Sequence, residues 1–208
     1  MIAGDPMEGQ GPYDVRNRWL GAVSPADGSL LGETRPAQGS IRPQFSRNGR
    51  YFMLGTWLGV ARIIDRSTGE VVRSRDGRHI RLAMNEATTI LAEADRTKTR
   101  VFSIPDWTEL FAVDTRGTVP SLAFDPSGRW LALGGAGMDH ILIVTADSGR
   151  RLGSLPMHRT DVNVIELSHD GKRIYAGTSA GDLLFWNVEA VDSFLNEHGV
   201  PSPLNTKS

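Results

Sequence analysis

The stretch "LAFDPSGRWLALGG", residues 122–135, places a Ser-Gly turn between two apolar runs, and its spacing recurs along the chain. In "FSRNGRYFMLG" (45–55) and "LSHDGKRIYAG" (167–177), as here, an apolar residue is followed four positions later by glycine and six positions after that by a second glycine. A weaker copy, "MNEATTILAEA" (84–94), has the same apolar layout with threonine and alanine in place of the glycines. A shared spacing of this kind indicates a repeated structural unit and only indirectly a chemistry.

The spacing between copies indicates the kind of unit. The apolar anchors Phe45, Met84, Phe124 and Leu167 follow one another at steps of 39, 40 and 43 residues. A period near forty is typical of propeller blades, each of which is a four-stranded antiparallel sheet. The segments between turns are short and rich in β-branched or aromatic residues, and the turns pair Asn, Asp or Ser with Gly. We therefore predict an all-β protein, a β-propeller of four-stranded antiparallel blades with four recognisable blades and a partial N-terminal one.

The period divides the chain into segments. Residues 1–13 are predicted to be disordered, and residues 14–192 to carry the repeats, as a partial blade at 14–38, blades at 41–76, 80–114 and 120–156, and a final unit at 162–188. The final unit has three strands, and "VEAVDSFLNEH" after it is predicted to form a short helix, with a tail at 193–208.

The missing strands leave two arrangements open. In the first, part of residues 14–38 completes the last blade and closes a small ring. In the second, the array is incomplete, and another chain or further blades of a longer protein close it. We favour the incomplete array.

The last unit, "MHRTDVNVIELSHDGKRIYAGTSAGDLLFWNV", resembles a blade of the WD-repeat β-propeller family. His158 stands where that family has the His of its Gly-His pair, and Trp186 stands where it has the Trp of its Trp-Asp pair. Met157 and Asn187 depart from the family's Gly and Asp. The resemblance implies a propeller fold, structural roles for His158 and Trp186, and a rigid non-catalytic scaffold that binds a protein or peptide on one loop face.

The composition limits the classes of function. The formal net charge of −1 predicts no strong attraction to nucleic acid or to an anionic membrane. The chain has no cysteine, which excludes disulfides and thiolate metal sites and fits a reducing compartment, and its histidines lack metal-motif spacing. The start lacks the basic region and apolar run of a signal peptide, and no window reaches the about 18 apolar residues of a spanning helix. We expect a cytoplasmic protein with no catalytic residue, no cofactor and no metal site.

The candidate partner-binding residues lie on one predicted surface. In the family, the loops between second and third strands share a face with the crossovers between blades. Here that face is predicted to hold Trp57, Arg75, Arg78, His79, Arg96, Lys98, Met138, His140 and Arg159. Trp and Arg are frequent interface anchors, and a basic rim around an apolar anchor suits a protein or an acidic peptide better than nucleic acid. The alternative is that the arginines are only solvated and that Trp57 packs between blades.

Two other functions stay open. The chain is the C-terminal propeller portion of a larger multidomain signalling protein, or it is a propeller enzyme of the lactonase or dehydrogenase type. An enzyme needs convergent Asp, Glu, Asn or His residues in the central channel, and the sequence shows no such set. The glycines of "GGAGMDH" (134–140) superficially resemble a phosphate-binding loop, but a strand follows where that loop requires a helix, so a hairpin loop is predicted.

Overall fold

The strands of this protein are antiparallel throughout the part that the structure, a computed structural model, describes. That part comprises residues 2–4, 19–23, 27, 30–34, 40–115, 118–138, 140–157 and 161–197. It is all-β apart from one helix at its end, as the sequence predicts.

The strands are arranged in four sheets. A three-stranded sheet contains β1 (Ile2–Gly4), β2 (Trp19–Val23) and β3 (Leu30–Thr34). A six-stranded sheet contains β4 (Ser40–Phe45), β5 (Tyr51–Asp65), β6 (Val71–Met84), β7 (Ile90–Ala94), β8 (Lys98–Ser103) and β9 (Glu109–Asp114). A four-stranded sheet contains β10 (Thr118–Phe124), β11 (Trp130–Ala136), β12 (His140–Thr145) and β13 (Arg151–Pro156). The last three-stranded sheet contains β14 (Val162–Leu167), β15 (Arg173–Thr178) and β16 (Leu183–Asn187).

Three predictions concern the ends of the chain. The predicted helix is confirmed as α1 (Val188–Glu197), which follows β16 directly. None of the described helical residues belongs to a segment long and apolar enough to cross a membrane. β1 lies within residues 1–13, where disorder is predicted, and pairs with β2. The predicted tail at 193–208 starts too early, since residues 193–197 belong to α1, and residues 198–208 lie outside the described residues.

The four copies of the repeat form the same hairpin turn after their first strand. In each copy, the polar residue that follows the apolar anchor accepts a hydrogen bond from the backbone N–H five positions later, at 2.8 to 2.9 Å. These turn-closing residues are Ser46, Asn85, Asp125 and Ser168. The repeated spacing therefore corresponds to one repeated turn geometry.

The backbone conformation of the turn explains the first glycine of the spacing. Gly49, Gly128 and Gly171 have φ values of 69°, 72° and 70°, in the left-handed region that glycine adopts at little cost. Thr88 takes the same place in the weaker copy with a φ of 59°. The turn is thus kept in that copy at the cost of a strained threonine.

β5 combines the predicted second and third strands of the unit 41–76. The N–H of Arg66 donates to the carbonyl oxygen of Arg50 at 2.8 Å, so the two ends of β5 lie side by side. A straight strand of 15 residues would separate its ends by roughly 50 Å. β5 therefore doubles back, so that its two halves correspond to two predicted strands.

β6 combines the last predicted strand of the unit 41–76 with the first of the unit 80–114. Its first part pairs with β5, and its last four residues pair with β7. His79 lies at the junction and has a φ of 56°. Odd-numbered residues such as Arg75 face inward before it, and even-numbered residues such as Leu82 face inward after it. The predicted unit boundary is therefore a bend inside one continuous element.

The sheets pack face to face, and β11 shows how. Trp130 and Ala132 belong to an apolar core shared with β14 and β15. Leu131 and Leu133 alternate with them and belong to a core shared with β7 and β8. β11 is therefore buried on both faces, and each leucine there contributes about 1.5–3 kcal/mol by burial.

The second glycine of the spacing serves this packing. A Cβ added to Gly134 would lie 2.9 Å from Cδ1 of Ile165 on the neighbouring sheet. A residue with a side chain here would therefore force the Ile165 side chain to shift.

The first strands of the four units line a common cavity. The cavity has a volume of about 320 Å³ and lies between β4, the second part of β6, β10 and β14. The Ser121 hydroxyl accepts a hydrogen bond from the N–H of Ile165 at 2.8 Å, and the Gln44 amide donates to the carbonyl oxygen of Leu82. Neighbouring first strands are thus linked across the cavity wall.

Candidate partner-binding surface

The predicted partner-binding residues fall on two parts of the fold. Those on β6 and on the turn between β7 and β8 lie together at one corner of the six-stranded sheet, and they are Arg75, Arg78, His79, Arg96 and Lys98. Met138 lies instead in the connection between β11 and β12, and His140 is the first residue of β12. The side chain of Trp57, and residues His158 and Arg159, lie outside the described residues.

Arg75 belongs to a charge network. We use this term for the arginines Arg73, Arg75 and Arg100 together with the carboxylates Glu93 and Asp95. Nε of Arg73 is 2.5 Å from Oε1 of Glu93, and Nη1 of Arg100 is 3.3 Å from Oδ2 of Asp95. Arg75 contacts both carboxylates, pairing closely with Asp95 and lying 3.7 Å from Glu93.

The charge network lies between the part of β6 that pairs with β5 and the strands β7 and β8. The side chain of Glu93 is only 2% exposed, and the guanidinium of Arg73 lies 3.9 Å from the centre of the Phe102 ring. Burial opposes ionisation of Asp95, but hydrogen bonds from the backbone of Thr97 and Lys98 outweigh it and hold the pKa of Asp95 well below its usual range. Arg75 is therefore engaged in holding the fold together.

A second group of cations surrounds His79. We call Arg78, Arg81 and Arg96, together with the buried His79, the cationic corner. Burial lowers the pKa of His79, and the nearby charges of Arg96, Arg81 and Arg78 lower it further. The imidazole is therefore neutral at pH 7, and the positive charge of the corner resides on the guanidinium groups.

The exposed arginines of the cationic corner differ from those of the charge network. Within the described part of the chain, no carboxylate oxygen lies within 4.0 Å of the guanidinium nitrogens of Arg78 or Arg96. Asp76, two residues before Arg78 on β6, is outside this distance. Among the described residues, these two arginines therefore have no carboxylate partner.

The remaining predicted residues have local roles. Nζ of Lys98 lies 3.9 Å from Oδ1 of Asp114 at an exposed position. Met138 and His140 are half-buried, and His140 begins β12. The connection "GGAGMDH" therefore joins two antiparallel strands, which confirms the predicted hairpin loop. Trp186 packs against the core between β11, β12 and β15, which suits a structural role.

Two features of the structure are missed by the sequence reasoning. Leu183 and Phe185, on the last strand of the last sheet, are 71% and 67% exposed. The alternation of outward and inward positions in "LLFWN" is the signal that could have indicated them.

The second feature lies at the turn end of the cavity. Nη2 of Arg47 donates to Nδ1 of His169 at 2.5 Å, and Nε of Arg47 lies 3.5 Å from Oε1 of Glu86. These residues come from the first, second and fourth copies of the hairpin turn. No local sequence pattern indicates this contact, because the residues meet only through the arrangement of the copies around the cavity.

Comparison with protein-family models and with curated proteins identifies no homologue of the chain. No protein-family model matches the chain, and no curated protein matches it significantly. Among the described residues, no three His, Cys, Asp or Glu side chains are grouped as a metal site.

Proposed function

We propose that the chain is a β-propeller of the WD-repeat type, or a portion of one, and that it is a non-catalytic scaffold for a protein or an acidic peptide. The repeated hairpin turn, the face-to-face sheets and the first strands around one cavity support the propeller. The absence of cysteine suits a reducing compartment such as the cytoplasm.

The cationic corner carries the proposal for function. Arg78 and Arg96 are exposed, and the described residues offer them no carboxylate within 4.0 Å. Arginine is enriched in interfaces, and its guanidinium group binds carboxylates through paired hydrogen bonds. An acidic segment of a partner would supply the missing negative charge.

The last sheet supports an incomplete array. Within the residues that the structure describes, the sheet of β14–β16 has three strands where the sheet of β10–β13 has four, and large apolar side chains are exposed on β16. A strand supplied by another chain, or by further blades of a longer protein, would cover this edge. The scaffold would then act as part of a closed ring.

Partner capture with the purified chain tests the scaffold. The wild type, the double variant Arg78→Glu/Arg96→Glu and the control Arg150→Glu are each used as bait, and the captured proteins are identified and their affinities measured. Arg150 is a matched control because it is an exposed arginine in the turn between β12 and β13. We expect the double variant to bind acidic partners about tenfold or more weakly than the wild type, because it loses charge-assisted hydrogen bonds and gains charge repulsion.

The same experiment has a clear negative outcome. If the double variant retains the partners of the wild type with unchanged affinity, the binding surface is elsewhere. Trp57→Ala, added as a further bait, tests the apolar anchor predicted from the sequence. Unchanged binding by that variant would remove Trp57 from the surface.

A further inference from the structure

We propose that the outer face of the last sheet is a docking surface for a second copy of this chain. By the outer face we mean the side of β14–β16 that carries Val164, Tyr175, Gly177, Leu183 and Phe185. The inference rests on the proposed incomplete array and goes further by naming what covers the end of that array. It does not involve the cationic corner.

The pairing of the strands puts these residues on one side of the sheet. Gly177 is paired with Val164 on one flank and with Leu183 on the other, and Tyr175 is paired with Phe185. Residues directly opposite each other in an antiparallel sheet lie on the same face, and so do residues two positions apart on one strand. Val164, Leu183 and Phe185 are exposed. The outer face is therefore an apolar strip that crosses three strands and faces solvent.

The preceding sheet shows that a face of this kind is normally covered. Tyr175 and Ala132 hold the same position in their copies, eight residues after the apolar anchor. Tyr175 pairs with Phe185 and Ala132 pairs with Ile143, so Phe185 has the place of Ile143. Ile143 is 2% exposed and belongs to the core that the sheet of β10–β13 shares with β14 and β15. A position that is core in one sheet is therefore exposed in the next.

Leu183 extends this comparison by one more position. It lies two residues before Phe185, as Ile141 lies two residues before Ile143. Ile141 is fully buried in the same core as Ile143, whereas Leu183 is 71% exposed. Both outward-facing apolar side chains of β16 thus stand where the preceding sheet has core residues. The outer face therefore continues the series of face-to-face contacts between sheets and calls for a partner with an apolar sheet face.

A second copy of the chain offers such a face. In the first unit, Phe52 and Leu54 stand at the positions that face the preceding sheet on β11, but both are buried and are not offered to a partner. Among the described residues, Leu183 and Phe185 are the most exposed large apolar side chains. Two copies can therefore pair by the same face, which is the arrangement of a two-fold symmetric dimer.

Charge does not oppose this association. The formal net charge of the chain is −1, so two copies repel each other little. Glu166 lies opposite Tyr175 on β14, and Arg173 lies two residues before Tyr175 on β15. Both are exposed and carry opposite charges, so the border of the outer face has no excess of one sign.

The size of the outer face sets the expected strength of the dimer. Three strands of five or six residues bury roughly 400 Å² per copy at the usual strand spacing and rise. A standard interface buries about 800 Å² per partner, so this dimer belongs to the weak class. We expect a dissociation constant on the order of 10 to 100 µM.

Sedimentation of the full chain over a range of concentrations tests the proposal. The proteins are the wild type, the outer-face variant Leu183→Lys/Phe185→Lys and the control Val71→Lys/Leu110→Lys. The control replaces two exposed apolar side chains that lie on β6 and β9. All four positions are exposed, so we expect the variants to fold, and urea unfolding at low protein concentration checks this.

We expect a monomer–dimer equilibrium for the wild type and for the control. The outer-face variant should raise the dissociation constant about a hundredfold or more, because each substitution occurs twice in a symmetric dimer. The wild type should also unfold at a higher temperature as its concentration increases, since association stabilises the folded state.

A thiol crosslink tests the geometry of the dimer. The chain has no cysteine, so Tyr175→Cys gives one thiol per copy, on the middle strand of the outer face. Packed sheets lie about 10 Å apart, so a bismaleimide of that reach should join two copies of Tyr175→Cys. The control Leu110→Cys, on β9, should remain uncrosslinked at the same concentration.

Three results would overturn the dimer. The first is a wild type that stays monomeric up to about 500 µM, well above the expected dissociation constant. The second is an outer-face variant that dimerises as tightly as the wild type, and the third is equal crosslinking of the Tyr175→Cys and Leu110→Cys variants. A monomeric wild type that captures another protein through Leu183 and Phe185 would assign the face to that protein instead.

The outcome is separable from that of the scaffold function. Loss of the dimer leaves the partner capture by Arg78 and Arg96 standing, because those arginines lie on the six-stranded sheet and not on the outer face. Conversely, a dimer that depends on the outer face, without any captured protein, would leave this inference standing and count against the scaffold.

Discussion

The substitution Arg73→Met tests how much the charge network contributes to stability. Nε of Arg73 lies 2.5 Å from a carboxylate that is 2% exposed, so its removal leaves Glu93 with Arg75 at 3.7 Å as its remaining partner. Breaking a buried ion pair by removing one partner costs about 3–5 kcal/mol. Arg75 offsets part of this cost, and methionine keeps an apolar contact with the Phe102 ring, so we expect a loss of about 2–4 kcal/mol.

Urea unfolding followed by tryptophan fluorescence measures this loss, and the chain has 5 tryptophans to report it. The matched control is Lys172→Met, because Lys172 also pairs with a carboxylate, Glu189, at 3.0 Å, but both of these side chains are more than half exposed. The unfolding midpoint of the control should hardly change, since exposed ion pairs are screened by water.

The double variant Arg73→Met/Glu93→Gln sharpens the test. Glutamine removes the unpaired buried charge, so the double variant should be more stable than Arg73→Met alone. The reasoning is refuted if Arg73→Met costs less than about 1 kcal/mol, or if the double variant is the less stable of the two.

Three further predictions use the same measurement. Gly149→Ala should cost about 1–3 kcal/mol more than Gly69→Ala, because both glycines have positive φ but only at 149 would the Cβ overlap an aromatic ring of β9; equal costs would contradict this. Trp186→Ala should lower the free energy of unfolding by about 2–4 kcal/mol and Phe185→Ala by about 0.5 kcal/mol, because Trp186 packs on the core and Phe185 is largely exposed. A larger loss for Phe185→Ala would mean that the other face of β16 is the buried one. Hydrogen bonds from Ser67 lower the pKa of Asp65 from 3.8 to about 2 in the folded protein. Because Asp65 then binds a proton more readily in the unfolded chain, stability should fall as the pH drops from about 4 toward 2. Asp65→Asn should lose part of this acid sensitivity, and an unchanged pH profile would rule out Asp65 as a source.

The features that the sequence predicts well depend on local chemistry. The hairpin turns follow from small polar residues beside glycine, and α1 follows from a change of pattern after β16. The backbone conformations involved need only a few neighbouring residues.

The charge network could not be predicted in the same way. In the sequence, Arg73 and Arg75 stand in a basic stretch that suggests a solvated rim. Their partners, Glu93 and Asp95, are 20 residues further along and belong to the next unit. Only the packing of one unit on the next brings these charges together, and no pattern within a single unit encodes that contact.

The turn-closing side chains have a consequence for how the copies diverge. Ser46, Asn85, Asp125 and Ser168 each close the turn of their own copy with an oxygen atom, so the closure needs no help from another copy. One copy can therefore exchange its capping residue, or even its glycine, as at Thr88, without requiring a matching change elsewhere. After duplication, such copies can drift apart in residue identity while their lengths stay in step, which is how a shared spacing outlasts a shared sequence.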